Sequence, residues 1–159
     1  MHSYSALVKW ERGDAIFTDR LYSRAHSWAF DGGQEVLASS SPLVVREPLS
    51  DPRGIDPEEA FIASLSSCHM LFFLDFAKQA GFVVETYDDV AEGVISEGAD
   101  GRVAMTVVTL KPRIVFTGDK RPSATEIDAI HHRSHDACFI ANSVKSEVGV
   151  EGVAEGLRE

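Results

Sequence analysis

The chain has 159 residues, 44% of them hydrophobic and 25% charged, so one domain spanning residues 1–159 with a real core fits the length and a second has little room. Fifteen Lys and Arg stand against twenty-five Asp and Glu, a formal net charge of −10 at pH 7, which argues against nucleic acid and against an anionic membrane surface as partners. The N-terminus, MHSYSALVKWERGD, has no charged leader followed by an apolar stretch, and no apolar run approaches the roughly 18 residues of a membrane span. A cytoplasmic location is expected, and in that reducing compartment a bond between Cys68 and Cys138, the two cysteines, would be transient rather than permanent.

The first forty-five residues read as strands and turns. Tyr4 to Trp10 alternates, Arg12-Gly13-Asp14 is a turn, and Ala15 to Thr18 is expected as the partner strand of an opening hairpin. His26 to Phe30 ends at Asp31-Gly32-Gly33, after which Glu35 to Ala38 returns beside it. From Ser39 to Ile55 the chain is rich in Ser, Pro, Asp and Gly, which predicts a long surface loop with one short apolar piece, Leu43 to Val45.

The helix signals are sharper. Asp56-Pro57-Glu58-Glu59 offers an N-cap, a proline at the first helical position and a glutamate able to close a capping box. The run continues unbroken to Ala80 and Gly81-Phe82 supplies a C-cap, so one helix of about 24 residues is expected. Phe61, Ile62, Leu65, Met70, Leu71, Phe72, Phe73, Leu74 and Phe76 leave almost no polar face before Asp75 and Lys78, which predicts a central helix enclosed on most sides, with Cys68 at its midpoint. Val83 to Glu97 and Arg102 to Phe116 follow as a long hairpin around Gly98-Ala99-Asp100-Gly101. Ser123-Ala124-Thr125-Glu126 opens a second helix to about Ala137; Val144 to Val150 is read as a closing strand, and Glu151 to Glu159 as a frayed polar tail. This order predicts an α+β fold.

Seventy residues separate Cys68 from Cys138, which rules out a CxxC redox pair or a local zinc knuckle. Three features do gather near the central helix: Glu58 in its first turn, Cys68 at its middle, and Arg46 with Arg53 in the loop that feeds it. A nucleophilic cysteine works as a thiolate, an arginine supplies permanent positive charge, and a carboxylate can hold and aim the guanidinium. Glu58 and Cys68 are ten residues apart, about 15 Å along a helix axis and roughly 80° out of phase. Within one straight helix they cannot touch, so either an arginine spans part of the gap or the carboxylate comes from a second chain.

Gly54-Ile55-Asp56-Pro57-Glu58-Glu59, the helix-borne Cys68 nine residues on, and a helix ending in Cys138 ahead of a last strand resemble the OsmC/Ohr family of thiol peroxidases, the osmotically inducible protein C-like and organic hydroperoxide resistance proteins. The resemblance covers nearly the whole chain. It implies an OsmC-like fold, antiparallel sheets around a long central helix, in an intertwined homodimer with two active sites at the interface. It also implies roles: Cys68 as peroxidatic cysteine, Cys138 as resolving cysteine, Glu58 as the helix-start glutamate. For the activating arginine the OsmC branch points to Arg46, the choice made here, whereas the Ohr branch would draw it from the N-terminal strands, as Arg12, Arg20 or Arg24. The implied reaction has Cys68 thiolate attack an organic hydroperoxide, with hydrogen peroxide a further candidate, and become a sulfenic acid that Cys138 converts to a disulfide. A dithiol reductant, lipoyl-linked in part of the family, reopens the bond, and no metal or organic cofactor is implied. Two departures bear on substrate preference: Ser66-Ser67-Cys68-His69 where a small or apolar setting such as A-A-C-F is usual, and Cys138-Phe139 where Cys-Pro is common.

Two other readings stand beside this one. His131, His135 and Cys138, at i, i+4 and i+7 of the second helix, form a face that could offer three ligands to Zn²⁺ or Cu²⁺. Alternatively both thiols are inert small hydrophobes in a ligand-carrying dimer.

Overall fold

A computed structural model describes residues 1–158. The fold is α+β, with nine strands and two α-helices among the described residues, and its contacts gather into two compact units, residues 1–60 and 61–159.

The first unit is a three-stranded antiparallel sheet in the order β1 (Ala6–Lys9), β2 (His26–Phe30), β3 (Glu35–Ala38). β2 and β3 form the expected hairpin, with His26 opposite Ala38 and Trp28 opposite Val36. The expected opening hairpin does not form. β1 pairs with β2, Ala6 opposite Phe30, and Phe17–Asp19 is a 3-10 turn. The cause is aromatic packing: Phe17 stacks on Tyr22 at 4.8 Å, Trp10 meets Tyr22 edge-on at 5.3 Å, and Trp10 Nε1 donates to the Ser23 carbonyl at 2.8 Å. This cluster draws the 15–22 segment away from the strand and leaves β1's edge to β2.

The 39–55 loop folds back on β3. Ser39 N donates to Ile55 O, Ile55 N to Leu37 O, and the Ser39 hydroxyl accepts from Asp51 N at 2.9 Å; Leu43 to Val45 lies in turns. Gly54 sits where the two segments touch, and a Cβ there would lie 2.9 Å from the Ala38 carbonyl carbon and 3.0 Å from Ser39 N. Its side chain is absent because backbone occupies the space.

Helix α1 (Pro57–Gln79) begins in the first unit and continues in the second. Its ends follow the local signals: Asp56 Oδ1 accepts from Glu59 N at 2.7 Å, the Glu59 carboxylate accepts from Asp56 N, and Phe82 N donates back to Ala77 O. By length and composition α1 could cross a membrane, against the expectation that no run is long enough. It serves instead as a core helix, and its buried residues Leu65, His69, Phe73, Phe76 and Ala77 form one stripe. The predicted near-complete enclosure is not met within this chain, since Leu71 is 60% exposed.

In the second unit the expected long hairpin is present but creased. Its first arm is β4 (Val83–Asp89) and β5 (Glu92–Glu97), its second β6 (Val103–Leu110) and β7 (Pro112–Thr117), and the breaks at 90–91 and at Lys111 divide it between two sheets. Helix α2 (Ala124–Ala137) opens with the capping box of Ser123 and Glu126. The last strand then runs parallel to β6 as β8 (Glu147–Val150), shorter than the expected 144–150, and crosses to β7 as β9 (Val153–Glu155). The 151–159 tail is therefore not frayed at 153–155; Glu159 lies outside the described residues. Gly152 makes the crossing, because a Cβ there would meet Pro112 Cγ at 2.9 Å and Pro112 O at 3.0 Å. The sheets are thus mixed: each has one antiparallel and one parallel pairing. α1 supplies both cores, Leu65 with Val108 and Leu110, and Phe73, Phe76 and Ala77 with Ile114, Phe116, Ile127 and Ile130.

Gly54→Ala is expected to lower stability by about 1–3 kcal/mol, the usual cost of forcing an atom into filled space. A thermal melt unchanged from the parent protein would contradict the close approach at Ala38.

Candidate active site

Cys68 lies on α1 one turn beyond Leu65 and one turn before Phe72, and is half-buried. Cys138 caps the end of α2, its N–H donating to His135 O at 3.2 Å. Its sulfur accepts from Ala141 N at 3.4 Å, and its carbonyl accepts from Asn142 N and Asn142 Nδ2, both at 3.0 Å. The turn that follows thus closes over the residue, which is 1% exposed. Both cysteines are free thiols. Burial pushes the Cys138 thiol up, a hydrogen bond with the Cys68 thiol raises it further, and the Ala141 N–H opposes this. Two sulfurs seventy residues apart in sequence are thus close enough to act on one another's ionisation, one half-open to solvent and one enclosed.

Phe139, next after Cys138, is 71% exposed and meets Phe72 edge-on at 5.3 Å. Leu65 is core, Phe61 packs on that core, and Phe72 with Phe139 forms an aromatic edge one turn from Cys68.

Beneath the α1 midpoint is a polar layer that the sequence reading missed. His69 Nε2 and His131 Nδ1 lie 3.0 Å apart, both residues buried, their rings stacked at 16°. Burial, the largest cause, pushes each imidazole down to about 4. The Ser66 hydroxyl donates to Asp89 Oδ2, whose other oxygen accepts from Lys111 N at 2.6 Å. A lone histidine inside an apolar run, as His69 is, was the available signal for a buried polar partner. The pair also corrects the three-ligand face: His131 turns inward to His69, and no group of three His, Cys, Asp or Glu able to hold a metal occurs among the described residues.

The arginines differ in their commitments. Arg53 grips Asp51 bidentately, Nε to Oδ1 at 3.0 Å and Nη2 to Oδ2 at 2.7 Å, which holds the Asp51 carboxyl down to about 2. Arg12 donates to Ala15 O, and Arg24 donates to Arg20 O at 2.9 Å and lies over the Tyr22 ring at 4.0 Å. Arg46 is exposed and Glu58 half-buried, and neither side chain has an ion pair or hydrogen bond among the described residues. Arg20, also exposed, has no side-chain bond among them either. Arg46, Arg53 and Glu58 belong to the first unit, both cysteines to the second.

A family model described as OsmC-like protein matches residues 50–151, which takes in all of α1, α2 and both cysteines. The chain belongs to the OsmC family. Among solved structures, an OsmC-like protein of unknown function from Vibrio cholerae O1 biovar eltor is 49% identical over 96% of this chain and 100% of its own, with a TM-score of 0.94. An organic hydroperoxide resistance protein from Elizabethkingia anophelis is 14% identical (97% of this chain, 96% of its own, TM-score 0.64). The organic hydroperoxide resistance protein OhrB of Bacillus subtilis is 11% identical (97% and 98%, TM-score 0.59). These last two share the OsmC fold. No curated protein matches the chain.

The buried imidazole pair sets an acid limit for this OsmC-family chain. An unfolded histidine takes up its proton below its ordinary 6.5, the native pair only near 4, so the unfolded state binds more protons between these values and stability falls as pH drops through that window. Replacing both, His69→Gln with His131→Gln, is expected to flatten this part of the stability curve by on the order of one to two protons. Urea midpoints measured across pH 6.5 to 4 test it; an unchanged slope in the double variant would refute the assignment.

Proposed function

We propose that the chain is a cysteine-based thiol peroxidase that reduces organic hydroperoxides to alcohols. The observation that carries this reading is the proximity of the Cys68 and Cys138 thiols, close enough for one to shift the other, with Cys68 the more accessible. The Cys68 thiolate attacks the terminal peroxide oxygen, the O–O bond breaks, and the alkoxide leaves as the alcohol after taking a proton; Cys68 becomes a sulfenic acid. The Cys138 sulfur then displaces the sulfenic hydroxyl as water and forms the disulfide. A dithiol reductant, lipoyl-linked by family analogy, exchanges through a mixed disulfide and leaves oxidised while both cysteines return to thiols. Sulfur does this chemistry without a cofactor, in a cytoplasm reducing enough to recycle it.

Arg46 is the proposed activating arginine and Glu58 the carboxylate that aims it. Supporting this, Arg53 is held by Asp51 and Arg24 by backbone carbonyls, whereas Arg46 is uncommitted. The proposed assembly is an intertwined homodimer of one OsmC-like domain per chain. It is supported by the apolar side chains that one chain leaves exposed, Leu71 on α1 and Leu7 and Val8 on β1 among them. The same packing demand argues for covering α1 with protein rather than lipid.

One equivalent of cumene hydroperoxide is expected to consume both thiols and leave an intramolecular Cys68–Cys138 bond by mass spectrometry; two intact thiols after minutes would defeat the peroxidase reading. Arg46→Ala should lower turnover about tenfold or more, the equivalent of one unit of thiol acidity, with Arg53→Ala near the parent rate; equal rates in the two variants would remove Arg46 from the role. In the reduced protein iodoacetamide should label Cys68 well before Cys138, which is 1% exposed. Peptide mapping with the reverse order would overturn the division of labour between the two sulfurs.

A further inference from the structure

The histidine-rich face of α2 borders a second site. A cleft of about 410 Å³ opens between α2 and the β8–β9 corner, large enough for a small organic molecule. Its floor is apolar, built on Ile114, Ile127 and Val150. Its rim carries three carboxylates, Asp128, Asp136 and Glu151, and the lining contains neither Lys nor Arg. Among the described residues none of the three carboxylates has an ion pair. The nearby Lys111 ammonium is bound to Glu92 at 2.6 Å.

An acidic rim alone would be ordinary surface. What distinguishes this one is His131, which lines the cleft although it is only 8% exposed. Its Nδ1 is taken by His69 and its ring packs on Phe73 at 4.5 Å, so Nε2 is the polar atom without a partner among the described residues. In the tautomer in which His131 Nδ1–H donates to His69, Nε2 presents a lone pair. Burial keeps this imidazole neutral at physiological pH, so it brings no charge to oppose a cation, and in that tautomer its Nε2 accepts from an ammonium N–H.

We propose that this cleft binds a small organic cation, an ammonium head on an apolar body. The head would lie among Asp128, Glu151 and His131 Nε2, and the body over Ile127 and Val150. The site is independent of the thiol chemistry. An anion is disfavoured by three carboxylates of like sign, and a metal by the absence, among the described residues, of three ligating side chains that converge.

Calorimetric titration of the full chain with benzylamine, a cation at neutral pH, tests the assignment against benzyl alcohol, its neutral counterpart. Benzylamine should bind saturably with one site per chain, about tenfold or more tighter than benzyl alcohol, and more weakly as salt is raised. The variant Asp128→Asn with Glu151→Gln changes exposed carboxylates to amides of the same shape and should cost a similar factor. Asp136→Asn alone should cost less and serves as the check should the double variant fold poorly. No saturable binding, equal binding of the alcohol, unchanged affinity in the variants, or displacement of benzylamine by stoichiometric Zn²⁺ would each overturn the proposal.

Discussion

The second unit is organised around one carboxylate. Asp89 stands at the end of β4, where the long hairpin creases, and its two oxygens serve two different needs: one accepts from Lys111 N on the opposite arm of the same crease, the other from the Ser66 hydroxyl on α1. A creased hairpin leaves a backbone N–H that cannot pair within either sheet, and orphaning such a group where it is partly buried costs about 1–3 kcal/mol. Asp89 satisfies it and in doing so anchors the middle of α1 two residues before Cys68. Its charge also reaches the layer below, where it opposes the desolvation of His131. The crease and the position of the helix are thus joined through one side chain.

From that placement the geometry of the thiols follows. α1 supplies Leu65 to one core and Phe73, Phe76 and Ala77 to the other, so its rotation about its own axis is fixed by both sheets, and Cys68 faces away from the buried stripe without leaving it entirely. α2 is held by Ile127, Ile130, His131 and Ser134 on its inner side, and its fourteen residues bring the C-cap to the level of Cys68. The cap has structural work of its own, since the Cys138 carbonyl and sulfur both accept hydrogen bonds from the turn that follows. The enclosed sulfur is hydrogen-bonded while the other is half-exposed, an asymmetry in keeping with the proposed two-step exchange of bonds between sulfurs.

Much of this was legible in the sequence where the signal is local. The capping boxes Asp56 with Glu59 and Ser123 with Glu126 marked both helix starts because their bonds span three residues, and both cysteines were placed on their helices. What failed depended on distant partners. The opening hairpin was lost to β2 because Trp10, Phe17 and Tyr22 pack together, a choice no alternation pattern encodes. β9 looked like a polar tail because its pairing is with β7, some forty residues earlier. The His69–His131 bond joins residues 62 apart, and the helical spacing of His131, His135 and Cys138 suggested a shared face that α2's inward turn divides.

The histidines of α2 therefore fall into two physical classes that their adjacency in sequence conceals. His131 is neutral because burial removes the solvation an imidazolium needs, whereas His132 is exposed and bonds to the Asp128 carbonyl one turn back. A helix one side of which must bury a hydrogen-bonded ring, while its other residues face solvent, cannot also converge three ligands on a metal; the geometry that completes the core consumes the ring that such a site would need. What remains available is the far edge of the same ring, at a cleft whose other polar side chains are the carboxylates of Asp128, Asp136 and Glu151 and the imidazoles of His132 and His135. The core's demand for a neutral, bonded His131 is thus what places an uncharged imidazole edge, and not an imidazolium, at an acidic corner of the surface.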